Sequence, residues 1–359
     1  MTKLIPEGTG RAWLEVDLAA LTRNARRFVE VAGVPLLAMV KANAYGLGAV
    51  PVTRALESLD PWGYGVATPE EGIELRQSGI TRPVVVFSPL QVDDTQLTAL
   101  SHHRLTPVIG DLAGLDAWLA RSNAPFHVEV DTGMNRAGFH WRDRTTIAAL
   151  RERLKSAKGW EGVFTHFHSS DTDPASVPAQ LDRFCAVLGE LPRGVALVHT
   201  ANSAAGGLVM SRGGDLARPG IFLYGGDAGT LLPEPVARLS ARVIAVRRLE
   251  PDDSVSYGAE WRAPRATTIA TLSIGYADGV LRSLGNRGMV ELNGELMPIA
   301  GRVTMDMLMV EAGDRPVRLG DTAALFGGLV TLDEQARRGG TNAYELLTAV
   351  SPRVERRYR

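Results

Sequence analysis

Residues 36–46 of the chain read Leu-Leu-Ala-Met-Val-Lys-Ala-Asn-Ala-Tyr-Gly, an apolar run that ends abruptly in a lysine. Similar apolar runs recur up to residue 223 and alternate with longer segments whose apolar residues repeat every three or four positions. This rhythm is typical of strand–helix units around a parallel sheet. The predicted strands are residues 36–40, 62–66, 83–87, 105–109, 126–130, 162–165, 195–198 and 216–223.

Helical segments lie between the predicted strands, and one more precedes the first strand. The clearest are residues 18–32, 69–78, 111–121, 143–157 and 175–188. Eight strands and eight helices predict a (β/α)8 TIM barrel, in the α/β class. An open doubly wound sheet is the alternative.

The pattern changes after residue 223, where glycines and prolines up to residue 235 indicate a linker. From Val236 onward the apolar runs are short, often alternating and separated by turn residues, which predicts a C-terminal all-β domain. These runs are residues 242–246, 267–272, 289–292, 307–310 and 322–326. We therefore predict a barrel at 12–228 and a β domain at 236–359, with residues 1–11 beside the β domain and the basic end 353–359 as a solvated tail.

Composition narrows the classes of function. The 39 Lys and Arg residues balance 40 Asp and Glu residues, so no overall charge recruits nucleic acid or a membrane. Cys185 is the only cysteine, which excludes an intramolecular disulfide and favours a reducing compartment. No apolar stretch reaches the roughly 18 residues of a membrane span. We expect a soluble cytoplasmic protein that acts on a small molecule.

A parallel barrel carries its site on the loops that leave the carboxyl ends of its strands. Lys41 follows the first predicted strand directly, so its amine should emerge in the barrel mouth. Partial desolvation there lowers the pKa of a lysine and suits it to bond an aldehyde cofactor. A surface lysine with a buried stem is the alternative reading.

Other strand ends offer anion-binding groups. Gly220 and Ile221, with Asn202 and Ser203, bring backbone N–H groups and a hydroxyl to the last two strands, where barrels commonly bind phosphate. Glycine after a strand is also an ordinary turn residue. Arg218 should point into the site, where it binds an anion, donates to a ring nitrogen or forms a buried ion pair.

A metal site is the remaining possibility at these strand ends. His166 and His168 lie two residues apart, an arrangement that can ligate zinc, and Asp171 and Asp173 follow closely. A metal needs three or four convergent ligands, however, and the other strand ends supply lysine and arginine. We expect no metal.

Together these features resemble the bacterial alanine racemase family along nearly the whole chain. The matching segments are residues 40–46, 131–136, 165–167, 201–205, 218–221, 255–259, 274–279 and 301–306. The resemblance implies a fold-type III pyridoxal-phosphate enzyme that forms a head-to-tail homodimer. It also implies that each active site is shared between two subunits and that the product D-alanine supplies peptidoglycan.

The resemblance assigns roles to individual residues. Lys41 holds pyridoxal phosphate and acts as the base on the D face, and Tyr257 of the partner subunit is the base on the L face. Two bases on opposite faces are what racemisation requires. The remaining implied roles are Arg218 at the pyridine nitrogen with His166 beside it; Tyr45, Asn202, Ser203, Gly220 and Ile221 around the cofactor phosphate; Arg136 and the Met305 backbone at the substrate carboxylate; and Tyr276, Arg282, Arg302 and Asp306 at the access corridor or behind the site.

Three positions depart from the family pattern. Glu129 stands where many members carry a carbamylated lysine; it is an even step from Asp131 and should face inward. We predict that it supplies the same negative charge without carbon dioxide. Leu47 replaces a histidine, a change expected to be mild. Pro352 replaces a tyrosine that in some members contacts the phosphate, which could widen the substrate range to serine.

Other functions compatible with this resemblance are a broader-specificity serine racemase, a non-catalytic pyridoxal-phosphate carrier, and a barrel decarboxylase of the same fold type. A metal-dependent barrel hydrolase is the residual alternative. Tyr257 and the β domain argue against the carrier, which needs no second base.

Overall fold

A computed structural model describes residues 10–192, 194, 197–207, 214–229 and 231–359. Its N-terminal part contains seven parallel strands in the order β2-β3-β4-β5-β6-β8-β9, with the short β7 beside β6. The strands are β2 Leu37–Met39, β3 Gly63–Val66, β4 Val84–Pro89, β5 Thr106–Ile109, β6 Phe126–Asp131, β7 Phe139–His140, β8 Trp160–Phe164 and β9 Leu197–His199. The first seven predicted barrel strands are thus present and neighbour one another in chain order. Val195, in the seventh prediction, lies outside the described residues.

The eighth predicted strand is shorter than the sequence suggested. Ala217 forms a parallel bridge to Leu36 and Arg218 forms one to Asn202, so this segment joins β9 to β2 and closes the barrel. Closure rules out the open doubly wound sheet. Beyond Pro219 the chain turns instead of extending to residue 223, because proline has no N–H to donate to a neighbouring strand.

Seven α-helices of the described residues surround the strands. They are α1 Leu18–Ala32, α2 Ala49–Leu56, α3 Pro69–Gln77, α4 Asp94–His102, α5 Leu112–Leu119, α6 Arg144–Leu154 and α7 Val177–Leu188. Five begin after an Asp or Thr whose side chain accepts a hydrogen bond from the first turn, which satisfies an otherwise free N–H. These caps are Asp17, Thr68, Asp93, Asp111 and Asp143.

The barrel interior is packed rather than open. Leu37, Val85, Val108, Phe164 and Leu216 form a separate buried cluster contributed by different strands. This is the usual filling of a TIM barrel by apolar side chains. The barrel is therefore a rigid support for the loops at its carboxyl ends.

The C-terminal domain is an eight-stranded sheet with a separate two-stranded ribbon. The order β15-β14-β17-β10-β1-β18 is extended by β13, which pairs with β10 and β16. The sheet strands are β1 Ala12–Val16, β10 Ala237–Leu249, β13 Thr267–Leu272, β14 Met289–Leu292, β15 Glu295–Pro298, β16 Leu308–Gly313, β17 Thr322–Phe326 and β18 Glu355–Tyr358; the ribbon is β11 Ser254–Val255 and β12 Trp261–Arg262.

Two expectations for this domain are corrected. It is mostly rather than entirely β, since helices α8 Leu332–Gly339 and α9 Ala343–Thr348 lie within it. The basic end is not a solvated tail: β18 pairs in parallel with β1. Arg356 is accommodated there because its guanidinium donates to backbone carbonyls, including Gly46 at 3.1 Å and Ser351 at 2.6 Å.

The N-terminal segment belongs to the same sheet. β1 pairs antiparallel with β10, so residues 12–16 lie in the β domain's sheet and not in the barrel. Arg11 donates to the buried Asp278 and to the Ser273 carbonyl, while residues 1–9 fall outside the described range. Among the described residues, no helix combines the length and the apolar character needed to cross a membrane.

Candidate active site

Lys41 begins an unusual turn directly after β2. The four residues that follow it, Ala42 to Tyr45, all have left-handed backbone angles, with φ of 53°, 53°, 51° and 55°. Such angles cost non-glycine residues roughly 1–2 kcal/mol each. The Glu71 carboxylate helps to hold the turn, since it accepts from Ala42 N and from Ala67 N, both at 2.7 Å. A strained turn held by tertiary contacts is characteristic of functional sites.

The Lys41 amine lies in an environment that favours its neutral form. Burial lowers the pKa of Lys41, the positive charge of Arg136 lowers it further, and Glu71 opposes these effects. A neutral amine is both a nucleophile and a base. The residue therefore has the properties predicted for a cofactor-binding lysine.

Arg218 is fully enclosed at the barrel mouth. Its guanidinium donates to the carbonyl oxygens of Thr165, at 2.8 Å, and His199, at 2.5 Å. Burial lowers the pKa of Arg218 to about 9, against the opposing effect of Glu129. It stays protonated at neutral pH. Burial and the charge of Arg218 lower the pKa of His166 to about 3, so His166 is neutral.

Glu129 is buried at the carboxyl end of β6, with only 5% of its surface exposed. Burial raises the pKa of Glu129, while the positive charges of Arg136 and Arg218 act to lower it. The loop that carries Arg136 is fixed by Asp131, whose carboxylate accepts from Gly133 N at 2.9 Å. Two arginines, Arg136 and Arg218, thus share the barrel mouth with this carboxylate and with the Lys41 amine.

A small polar cradle adjoins Lys41. Ser203 Oγ accepts a hydrogen bond from Gly220 N at 2.8 Å. A Cβ at position 220 would lie 2.2 Å from the Tyr45 hydroxyl, so only glycine permits this close approach. Burial raises the pKa of Tyr45, which keeps its hydroxyl a donor. Two hydroxyls beside a lysine amine fit a phosphorylated aldehyde.

Two predicted cradle residues have other observed contacts. The side-chain oxygen of Asn202 accepts from Ser170 Oγ and from Ala205 N, both at 2.9 Å, so it shapes the loop after β9. Ile221 is buried at 1% exposure behind the cradle.

A second group of predicted residues lies on the C-terminal domain. A cavity of about 670 Å³ is lined by Tyr257, Tyr276, Arg282, Arg302, Val303 and Thr304. Tyr257 is 72% exposed and Met305 is 54% exposed in the single chain. Asp306 pairs with Arg353 at 2.7 Å. Tyr257 and Tyr276, which line the cavity, and Met305, next to the lining residue Thr304, are thus large apolar side chains exposed on one part of the domain.

Two of the positions that depart from the family pattern, Leu47 and Pro352, differ in burial. Leu47 is fully buried, and its carbonyl accepts from the Tyr358 hydroxyl at 3.0 Å. Pro352 is exposed in a turn. Within the described part of the chain, no three His, Cys, Asp or Glu side chains come together in a way that could hold a metal ion, so the pair His166 and His168 gains no further ligands.

The sequence reasoning missed several residues around the site. Tyr224 stacks on Tyr45 with ring centroids 4.5 Å apart, and Tyr344 lies 5.9 Å from the same ring. His127 lies inside the barrel and contacts His199 behind Arg218. His127 could have been found, because it is two residues before Glu129 and so shares the inward face of β6.

The chain matches known proteins along nearly its whole length. The alanine racemase N-terminal domain matches residues 16–228, and the alanine racemase C-terminal domain matches residues 236–358. An alanine racemase from Deinococcus radiodurans is 38% identical over 97% of this chain and 99% of its own length. One from Deinococcus deserti is 39% identical over 96% and 98%.

Solved structures agree in fold. The biosynthetic alanine racemase from Pseudomonas aeruginosa aligns with a TM-score of 0.89 and 34% identity, over 97% of this chain and 99% of that one. An alanine racemase from Bartonella henselae with covalently bound pyridoxal phosphate aligns with a TM-score of 0.90 and 29% identity, over 98% and 100%. With both domain matches and relatives above 30% identity, the chain belongs to the alanine racemase family.

Proposed function

We propose that the chain interconverts L-alanine and D-alanine with pyridoxal phosphate on Lys41, as a cytoplasmic homodimer that supplies D-alanine for peptidoglycan. The observation that carries the proposal is the Lys41 amine, whose pKa burial and Arg136 lower, on the same turn as Tyr45, whose hydroxyl lies against Gly220. The Bartonella henselae relative with covalently bound pyridoxal phosphate supports the choice of cofactor. The single cysteine is consistent with a reducing compartment.

The cofactor, when bound, supplies an electron sink that makes the α-proton of an amino acid removable. Lys41 would hold it, with Tyr45, Ser203 and Gly220 around its phosphate. The lowered pKa of the Lys41 amine favours its neutral form, which can take a proton and return it. Arg218 would face the cofactor ring and, as a permanent donor, would keep its own proton.

The second proton transfer needs a base on the opposite face. Tyr257 is 72% exposed in the single chain, which suits a residue that enters the partner's site. Arg136, at the barrel mouth, would grip the substrate carboxylate together with the Met305 backbone of the partner subunit. Tyr276, Arg282 and Arg302 would line the access corridor, and Asp306, paired with Arg353, would support it.

Subunit sharing has a direct test. We expect Lys41→Ala and Tyr257→Phe to lose racemisation of L- and D-alanine, followed by optical rotation, while Lys155→Ala and Tyr358→Phe keep it. Statistical exchange of subunits between the two inactive variants should restore about a quarter of wild-type activity, because half of the dimers then contain one intact site. No recovery would exclude a shared site. Serine in the same assay measures substrate breadth.

Glu129 should replace the carbamylated lysine of other members. Its buried carboxylate experiences the charges of both Arg136 and Arg218. We therefore expect wild-type activity to be the same in bicarbonate-free buffer and in bicarbonate. Glu129→Gln should raise the KM for alanine, because Arg136 loses its anionic neighbour. Dependence of the wild type on bicarbonate would contradict this role.

A further inference from the structure

A chain of buried hydrogen bonds crosses the barrel interior behind Arg218. Arg218 Nη1 lies 2.8 Å from His199 Nδ1, and His199 Nε2 lies 2.8 Å from His127 Nδ1. His127 Nε2 lies 3.3 Å from Glu161 Oε2. The two histidines are completely buried and Arg218 is 3% exposed. The chain therefore runs through the packed core and not over its surface.

The two ends of this chain lie at opposite ends of the barrel. Arg218 is at the carboxyl ends of the strands, where the candidate active site is. Glu161 is the second residue of β8, at the amino ends, and its side chain is 29% exposed. It lines a cavity of about 630 Å³ whose other walls include Pro83, Thr106 and Pro125 from the same end.

The chemistry of arginine fixes the direction of every bond in the chain. A guanidinium can only donate, so His199 Nδ1 must accept and His199 must carry its proton on Nε2. That proton is donated to His127 Nδ1, which places the His127 proton on Nε2 as well. His127 then donates to the Glu161 carboxylate, which can only accept. All three bonds point away from the active site.

This arrangement gives every ring nitrogen of the two buried histidines a hydrogen-bond partner while both rings stay neutral. Burial lowers the pKa of His127 and holds the pKa of His199 well below its usual value, so both are neutral. Hydrogen bonds that point in one direction polarise one another and are strengthened in a buried setting. The surroundings are otherwise apolar: the Phe164 ring stacks on His199 at 4.8 Å and lies 5.0 Å beneath the Arg218 guanidinium.

We propose that His199, His127 and Glu161 are positioning residues that orient the Arg218 guanidinium from behind. The hydrogen bonds themselves are observed in the structure, whereas their role in catalysis rests on the proposed function. Apolar side chains fill most TIM barrels at these depths. An interrupted polar chain there leaves a buried donor unsatisfied, so each member matters for the geometry of the next.

The first test reads the ring protons directly. In holoenzyme with 15N-labelled histidine, His127→Gln and His199→Gln assign the two ring systems. We expect both wild-type rings to be neutral with the proton on Nε2, throughout about pH 5–8. A proton on Nδ1 of either ring, or a charged ring, would overturn the proposal. This readout is independent of racemase activity, so a wild type that shows the pattern but does not racemise alanine overturns only the proposed function.

The second test removes the acceptor at the far end. Glu161→Leu should disturb the His127 and His199 nitrogen shifts and lower kcat about tenfold, with KM within about twofold. Glu161→Gln keeps an acceptor oxygen and should restore both readouts. Glu152→Leu, an exposed carboxylate on α6, is the control and should change neither. Unchanged nitrogen shifts and kcat in Glu161→Leu would show that the chain does not position Arg218.

Discussion

The left-handed turn after Lys41 makes a prediction that depends on the sign of a single backbone angle. Ala42 has φ 53° and an exposed side chain, so replacing it by glycine removes no packing. Glycine should relieve about 1–2 kcal/mol of left-handed strain. It also increases the freedom of the unfolded chain, which costs about 0.4–1 kcal/mol. We expect Ala42→Gly to raise the free energy of unfolding by about 1 kcal/mol.

The same substitution in an ordinary helix supplies the control. Ala148 is exposed within α6, where the backbone is right-handed. Glycine at such a position costs about 1 kcal/mol because it adds freedom to the unfolded chain and relieves nothing. Two chemically identical changes should therefore shift stability in opposite directions, about 2 kcal/mol apart.

Equilibrium unfolding in urea measures both shifts. All three proteins are compared at one protein and one pyridoxal-phosphate concentration, because ligand binding and assembly alter apparent stability. If Ala42→Gly destabilises the protein as much as Ala148→Gly does, the turn is not left-handed and the strain argument fails.

Three further predictions concern the cradle, the ion pair of Arg11 with Asp278, and pH. Gly220→Ala should weaken cofactor binding in a titration by about 1–3 kcal/mol, the usual cost of overpacking, whereas Gly189→Ala, whose Cβ meets nothing closer than 3.5 Å, should not. Arg11→Ala should lower the free energy of unfolding by about 3 kcal/mol in thermal melts, since it removes the bidentate partner of fully buried Asp278; Arg11→Lys should lose less. The pKa of His166 in the folded chain, about 3, lies below its ordinary value, so the folded chain binds fewer protons than the unfolded chain. The contribution of His166 to stability should be complete above about pH 6.5 and should fall as the pH drops towards 3. His166→Gln should flatten that slope in urea unfolding.

The barrel could be predicted because strand and helix periods differ and alternate regularly. Seven predicted strands appear, with ends that differ from the prediction by at most two residues among the described residues. The eighth was predicted too long, since the proline and glycine at 219 and 220 turn the chain after two bridges. The apolar sequence continues to residue 223, although Pro219 has no N–H with which to pair a neighbouring strand.

The β domain was harder to predict. Helices α8 and α9 are only eight and six residues long, so their periodicity is brief. The final strand contains Arg356 and Arg357, which read as a solvated end. Only their tertiary contacts show that these arginines pack against the protein. Arg356 donates to carbonyl oxygens, and the Arg357 guanidinium lies 4.5 Å above the Trp13 ring.

Strand position could predict some of the proposed site residues but not others. Lys41 and Arg218 followed from the rule that barrel sites lie at the carboxyl ends of strands. Tyr257 gave no such signal and was identified only by resemblance. The left-handed turn was equally hidden, because its residues have no preference for that conformation and Glu71, which holds it, is distant in sequence.

The charged groups at the barrel mouth influence one another's pKa values. Arg136 and Arg218 are cations, and Glu129 is the carboxylate on which the two arginines act. This excess of positive charge is what lowers the pKa of Lys41 beyond the effect of burial, and it contributes to the neutrality of His166. A phosphate and a substrate carboxylate would supply the missing negative charge. The excess thus serves two needs at once, since it attracts anionic groups and shifts the Lys41 amine towards its neutral form.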